Sequence, residues 1–280
     1  MNIKLTADST CDLSPELLHQ YQVDILPLSI TTEAGVYQDG VDIHAADIFT
    51  RVQSGEAIPR TSAVNVQEYR EAFEKLLQTH DAVIHINISS EFSTCHQNAR
   101  TAAEGLPVYC IDSRNLSTGS GHLVLAAGDM IAQGLMDAKQ IAQALKDLTA
   151  KVESSFVVDT LAYLHKGGRC TAVTALGANL LQLRPCIEVH DGKMQVGKKY
   201  RGSFERCIRQ YVSDRLKGRT DIRTDRIFVT HSHCDAKTVE MVKQCVLGAQ
   251  PFDTVYETVA GCTISCHCGP GCLGILFVRK

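Results

Sequence analysis

The chain reads as an α/β protein of two domains, and three observations point there. Its 280 residues suffice for two domains of ordinary size. The first half alternates short apolar runs with amphipathic stretches, the pattern of strands joined by helical crossovers and so of a parallel sheet. The second half carries a hairpin signal, two alternating runs about Asp191-Gly192, which predicts a mixed sheet with helices on one face.

The elements follow in order. Ile3 to Ala7 reads as a strand. Ser14-Pro15-Glu16 offers an N-cap with proline at the first helical position, so a short helix runs over Leu17 to Tyr21. Val23 to Ile30 is a second strand, and Asp47 to Gln53 and Val66 to Thr79 are helical. Ala82 to Ile88 is a buried-type strand, apolar except for His85 and Asn87. Phe92 to Glu104 is helical, Pro107 to Ile111 a strand, and Gly121 to Gly134 and Ala138 to Lys151 are helices. Beyond a boundary near residue 152, Ser155 to Val158 is a strand and Thr160 to His165 a helix broken by Lys166-Gly167-Gly168-Arg169. The hairpin spans Arg184 to His190 and Lys193 to Tyr200. Helices at Phe204 to Leu216 and Ala236 to Leu247 then alternate with strands at Arg226 to Thr230, Asp253 to Val259 and Leu273 to Arg279. The expected domains are residues 1–152 and 153–280.

Composition narrows the function. Apolar residues make up 44% and charged residues 21%, which is globular. The net charge, 28 − 31 = −3, favours neither nucleic acid nor an anionic membrane surface. No apolar stretch approaches the ~18 residues of a membrane span, so no stable membrane insertion is expected. Met1 to Asp8 turns polar too soon for a signal peptide, so the expected location is cytoplasmic. The twelve cysteines, in a long chain without an export signal, read mostly as small buried apolar residues.

Two hydroxyl-rich segments carry the chemistry, Pro59-Arg60-Thr61-Ser62 and Ser89-Ser90-Glu91-Phe92-Ser93-Thr94. Each stands where one element gives way to a helix. Hydroxyls and free backbone N–H groups at helix starts hold anions, so Thr61, Ser62, Ser93 and Thr94 read as a small-anion cradle or as plain caps. Asp8-Ser9-Thr10, Ser89-Ser90 and Asp112-Ser113-Arg114 each follow a strand and should share the ligand edge of the sheet. No Gly-x-Ser-x-Gly elbow surrounds a serine and no base is marked, which argues against catalysis. Gly119-Ser120-Gly121 lacks the third dinucleotide glycine, and no Walker-type loop exists. Cys262-x3-Cys266-His267-Cys268-x3-Cys272 is dense enough to raise a metal, but its spacing suits thiols packed under a loop better. His267, beside Gly269-Pro270-Gly271, is expected to be partly reachable and able to donate to an anion. Arg169 and Arg201 are candidate contacts for an anion or a partner. His231 and His233 read as a polar loop more readily than as a metal pair.

In sequence order, Thr6 to Leu13, Pro59 to Ser62, Ser89 to Thr94, Ile111-Asp112-Ser113, Asp159 to Arg169, Arg184-Pro185, Asp191-Gly192 and His267-Cys268-Gly269-Pro270-Gly271 resemble the DegV family of bacterial fatty-acid-binding proteins. The resemblance implies two α/β domains, the first a three-layer parallel sheet and the second a two-layer mixed sheet, with a fatty acid between them. It implies that the carboxylate meets Thr61 and Ser93, with His267 nearby. It implies no cofactor, no metal and no catalytic residue, the ligand being a long-chain acid of the palmitate, stearate or oleate kind. Some members deliver the acid to a separate DAK-like fatty acid kinase subunit, and others have no known kinase. The family's Ser-Gly-Thr is Ser93-Thr94-Cys95 here. A sixteen-carbon acid buries about fourteen methylenes, on the order of 11 kcal/mol, against an association cost of about 4–15 kcal/mol, so the tail must supply the affinity. Two rivals remain: a serine-type acyl hydrolase or acyltransferase using Ser93, and a thiol or metal sensor at the last cysteines.

Overall fold

The structure, a computed structural model, describes residues 1–170 and 183–280. Strand β1 (Ile3–Asp8) leads through a 3-10 turn (Ser9–Cys11) into helix α1 (Pro15–Gln20), where the Ser14 hydroxyl accepts from the Leu17 N–H. Three short strands follow, β2 (Asp24–Leu26), β3 (Ser29–Thr31) and β4 (Val36–Gln38), then α2 (Ala45–Gln53), β5 (Arg60–Ser62) and α3 (Val66–Leu76). Asn65 and Glu68 close a capping box on α3. The half finishes with β6 (Ala82–Asn87), α4 (Cys95–Ala102), β7 (Val108–Asp112), α5 (Thr118–Gln133) and α6 (Ala138–Thr149).

The first sheet is parallel, in the order β2-β1-β6-β7. Every residue of β6 is buried, because helices cover both faces. Ile84 and Ile86 meet Leu123, Ile141 and Leu145 of α5 and α6 in one core, while Val83 joins Tyr69, Phe73 and Ala99 of α3 and α4 in the other. That is the three-layer arrangement.

The second half runs β8 (Val152–Val157), α7 (Ala162–Gly167), β9 (Leu183–His190), β10 (Lys193–Arg201), α8 (Phe204–Leu216), β11 (Ile227–Ser232), α9 (Ala236–Ala249), β12 (Val255–Val259), α10 (Cys262–Cys268) and β13 (Cys272–Val278). Its mixed sheet has the order β10-β9-β8-β13-β11-β12. Helices α8 and α9 cover one face through Tyr211, Val212, Val242 and Val246. The other face packs against the first half, with Phe228, Leu276 and Val278 in the core shared with α5, and Phe156 and Ile187 in the core shared with Ile88 and Leu116.

The structure corrects several expectations. Val23 to Ile30 is not one strand. Pro27 has no N–H to give a ladder, and the chain splits there into β2, on the parallel sheet, and β3, on a separate antiparallel sheet ordered β4-β3-β5. Arg60–Ser62, read as a loop, is the third strand of that sheet, with Thr61 opposite Ile30. Helix α4 starts at Cys95 rather than Phe92, α5 starts three residues before Gly121, and β8 starts at Val152. Helix α7 runs through Lys166 and ends at Gly168, which takes the left-handed conformation that glycine adopts freely. The cysteine-rich segment is not a loop. It forms α10, whose first amides are capped from the other half of the protein.

Candidate functional site

A cavity of about 330 Å³ opens at the carboxyl end of the parallel sheet. Thr61 and Ser62 reach it from β5, Ser93 and Thr94 from the turn before α4, His267 from α10, and Arg169 from the turn after α7. Leu28, Ile88, Leu116, Met194 and Ile264 give it an apolar floor. The five residues expected to hold an anion therefore line one space. Arg201 does not line it. It ends β10 opposite Leu183 and is exposed. Asp8, Ser9 and Thr10 stand at the same sheet edge but also stay outside the cavity. Asp8 is buried and accepts from the Tyr69 hydroxyl at 2.6 Å, the Ile88 N–H at 3.0 Å and the Asn87 amide at 3.2 Å.

His267 is half-buried. Its Nε2 lies 2.9 Å from Thr61 Oγ1. Its Nδ1 is buried without a partner among the described residues and faces Gly167, where an added Cβ would crowd it. Burial, aided by the Arg169 charge, pulls the imidazole down to about 4, so at neutral pH it carries one proton. An unpaired lone pair costs less than an unpaired N–H, so we assign the proton to Nε2. Nε2 then donates to Thr61, and the Thr61 hydroxyl is free to donate into the cavity.

Ser93 Oγ accepts from the Cys95 N–H, the first of α4, at 3.3 Å, although the N-cap position itself is Thr94, whose side chain makes no capping bond. Its own proton, among the described residues, meets only the Cys95 sulfur, at 3.2 Å, a weak acceptor. Among the described residues no imidazole or carboxylate is hydrogen-bonded to Ser93 Oγ. It lacks the adjacent base a nucleophilic serine needs. Arg169 is exposed at the rim, held by the Gly167 carbonyl at 2.9 Å.

Two carboxylates that sequence reading passed over set the position of α10. Asp39 is buried and accepts from the N–H groups of Cys262, at 2.8 Å, and Thr263, at 3.0 Å, and from the Ser9 hydroxyl at 3.1 Å. Asp12 accepts from the Gly261 N–H at 2.9 Å. Their sequence setting gave little signal, since Gln38-Asp39-Gly40 reads only as a turn. Among the described residues no two cysteines form a disulfide, and burial pushes Cys266 up to about 12. His233 packs on Phe49, and His231 lies 3.8 Å from Glu257. Among the described residues no group of three or more His, Cys, Asp or Glu side chains could hold a metal, and no helix is long and apolar enough to cross a membrane.

Two predictions arise here. Gly167→Ala drives a methyl onto Nδ1, so the ring must move and its contact with Thr61 breaks. The expected result is at least tenfold weaker binding of a carboxylate ligand, with a stability loss of about 1–3 kcal/mol from the lost hydrogen bond, measured by titration and thermal melting. The second concerns pH. Because the fold holds His267 neutral, its contribution is complete above the ordinary value near 6.5 and is lost as pH falls toward about 4. At the acid end that is about 3 kcal/mol. His267→Gln should therefore lose about that much less stability than the wild type between pH 7 and pH 4 in urea titrations. Equal losses would contradict the assignment.

A family profile described as "Uncharacterised protein, DegV family" matches residues 2–280. A DegV domain-containing protein of Deinococcus radiodurans is 30% identical over 283 residues, covering 98% of each chain. Among solved structures, a DegV family protein from Thermus thermophilus, described by its fatty acid binding, superposes with a TM-score of 0.90 at 28% identity over 100% of both chains. DegV of Bacillus subtilis, described as a fatty acid binding protein, superposes with a TM-score of 0.85 at 25% identity, again over 100% of both.

Proposed function

The chain belongs to the DegV family, and from that premise we propose that it is a non-enzymatic carrier of one long-chain fatty acid, held between a unit of residues 1–152 and one of residues 153–280. The acid is of the palmitate, stearate or oleate class. Its carboxylate sits at the rim, on the hydroxyls of Thr61 and Ser93, with Ser62 and Thr94 beside them and His267 fixing Thr61 from behind. Its tail runs over Leu28, Ile88, Leu116, Met194 and Ile264. The observation that carries this reading is the meeting of Thr61, Ser93 and His267 over an apolar floor in a single cavity. The relatives described as fatty acid binding support it.

The division of labour follows from magnitudes. Burying methylenes is worth about 0.8 kcal/mol each, so the tail supplies most of the affinity. The hydroxyls offset desolvation of the carboxylate and set which end of the ligand faces outward. Neutral donors leave that carboxylate accessible, where a bidentate arginine would compete with an acceptor enzyme. A separate DAK-like fatty acid kinase subunit is the partner this arrangement suits, with Arg169, exposed at the rim, and Arg201, exposed on β10, as its contacts.

The test is lipid identification. The full chain purified from cells should carry a long-chain acid, seen as an adduct by native mass spectrometry and released by solvent extraction. A protein that emerges empty and takes up neither added palmitate nor added oleate overturns the proposal.

A further inference from the structure

Ser93 is anchored at both its backbone and its side-chain oxygen. Its N–H donates to the Ser89 carbonyl at 3.3 Å, and its Oγ accepts from the Cys95 N–H at 3.3 Å. What stays adjustable is the hydroxyl proton, which turns about the Cβ–Oγ bond. That proton is donated to Cys95 Sγ, 3.2 Å away. A ligand lying against the cavity wall that Ser93 helps to form must therefore draw it off the sulfur. The cost of doing so depends on the acceptor at position 95. Cys95 is fully buried at the start of α4 and is not on the cavity wall. Its thiol is hydrogen-bonded to Tyr69, whose hydroxyl donates to the buried Asp8 carboxylate at 2.6 Å. The Tyr69 proton is thus committed to Asp8, so the thiol donates to Tyr69 and its sulfur is left to accept from Ser93. Burial pushes the thiol up to about 12, so at neutral pH that acceptor is an uncharged sulfur, which is a weak one.

We infer that Cys95 is a positioning residue for the headgroup: by offering Ser93 only a sulfur, it keeps the Ser93 proton available to a carboxylate and so sets the affinity for the acid. This rests on the fatty acid reading above and adds to it a residue that acts through Ser93 and not on the ligand. Binding exchanges one hydrogen bond for another, O–H to sulfur for O–H to carboxylate, by rotation of a single hydroxyl. The gain is the difference between the two. An oxygen at position 95 would hold the proton several-fold more tightly than sulfur does, and the whole of that factor would be subtracted from carboxylate binding.

The experiment is a double-mutant cycle on delipidated full-length protein, with palmitic acid binding read by isothermal titration and folding of each variant checked by thermal melting. Cys95→Ser puts an oxygen acceptor beside Ser93 and should weaken binding roughly three- to tenfold. Cys95→Ala removes the acceptor and should tighten binding roughly twofold. A general packing defect would weaken binding in both. In a Ser93→Ala background there is no proton to compete for, and both effects should vanish. Equal affinities for the wild type and Cys95→Ser overturn the inference. So does a loss that persists in the Ser93→Ala background, which would mean that residue 95 acts through packing. If Cys95→Ser does not fold, Cys95→Ala decides alone: tightening that depends on Ser93 supports the inference, and any other result overturns it. Wild type that binds palmitic acid but is not weakened by Ser93→Ala overturns this inference and leaves a fatty acid carrier standing. Failure to bind palmitic acid at all overturns both.

Discussion

Replacing Asp39 by alanine is expected to destabilise the protein by about 2–5 kcal/mol. The side chain is 2% exposed and accepts two backbone N–H groups of the first turn of α10 together with the Ser9 hydroxyl. Alanine leaves two amides and a hydroxyl with no acceptor in a space closed to bulk water, and each orphaned group costs about 1–3 kcal/mol. The amides lie at the positive end of a helix, so a negative charge is also lost from a place that favours one. Urea titration at neutral pH should show a lower midpoint with an unchanged slope, and Asp39→Asn, which keeps one acceptor oxygen, an intermediate midpoint. A shift below about 1 kcal/mol for the alanine variant would mean that α10 is held by something else. The variant should also bind its ligand more weakly, because His267 sits on the same seven-residue helix.

The second large effect belongs to the rim. The double variant Thr61→Val, Ser93→Ala removes both hydroxyl donors proposed to meet the carboxylate. A hydrogen bond to a charged group is worth about 1.5–3 kcal/mol, so the pair amounts to about 3–6 kcal/mol and at least a hundredfold in affinity. Valine matches threonine in shape, so contacts with the tail persist, while the N–H groups of His267 and Cys95 lose their acceptors at a cost to stability of about 1–3 kcal/mol each. Displacement of a fluorescent fatty acid reads the affinity. A loss below fivefold would place the carboxylate elsewhere.

The sequence announced the hydroxyl clusters because chemistry of this kind is local. Thr61-Ser62 and Ser93-Thr94 are adjacent pairs flanking apolar runs, and both were legible before any fold was known. The parallel sheet was legible for a similar reason, since Ala82 to Ile88 is nearly all apolar and only a strand covered on both faces needs that. The failures came where distant residues decide the local outcome. Cys262–Cys268 is too short and too rich in poor helix formers to make a helix alone, and it becomes one because Asp12 and Asp39 cap it across more than 200 residues. Residues 24–31 look like one strand because β-branched and apolar residues continue through Pro27, and only the two sheets in space separate β2 from β3.

The contact between Thr61 and His267 spans 206 residues. At a translation rate of about 5–20 residues per second, roughly 10–40 s pass between the emergence of the two. During that interval the newborn first half has its parallel sheet but no lid over Leu28, Ile88 and Leu116, and an oily surface faces the crowded surroundings of the ribosome. On the proposed reading, capture of an acid awaits completion of residues 262–268, which carry His267. Nascent chains stalled before that point should stick to chaperones and take up no added palmitate.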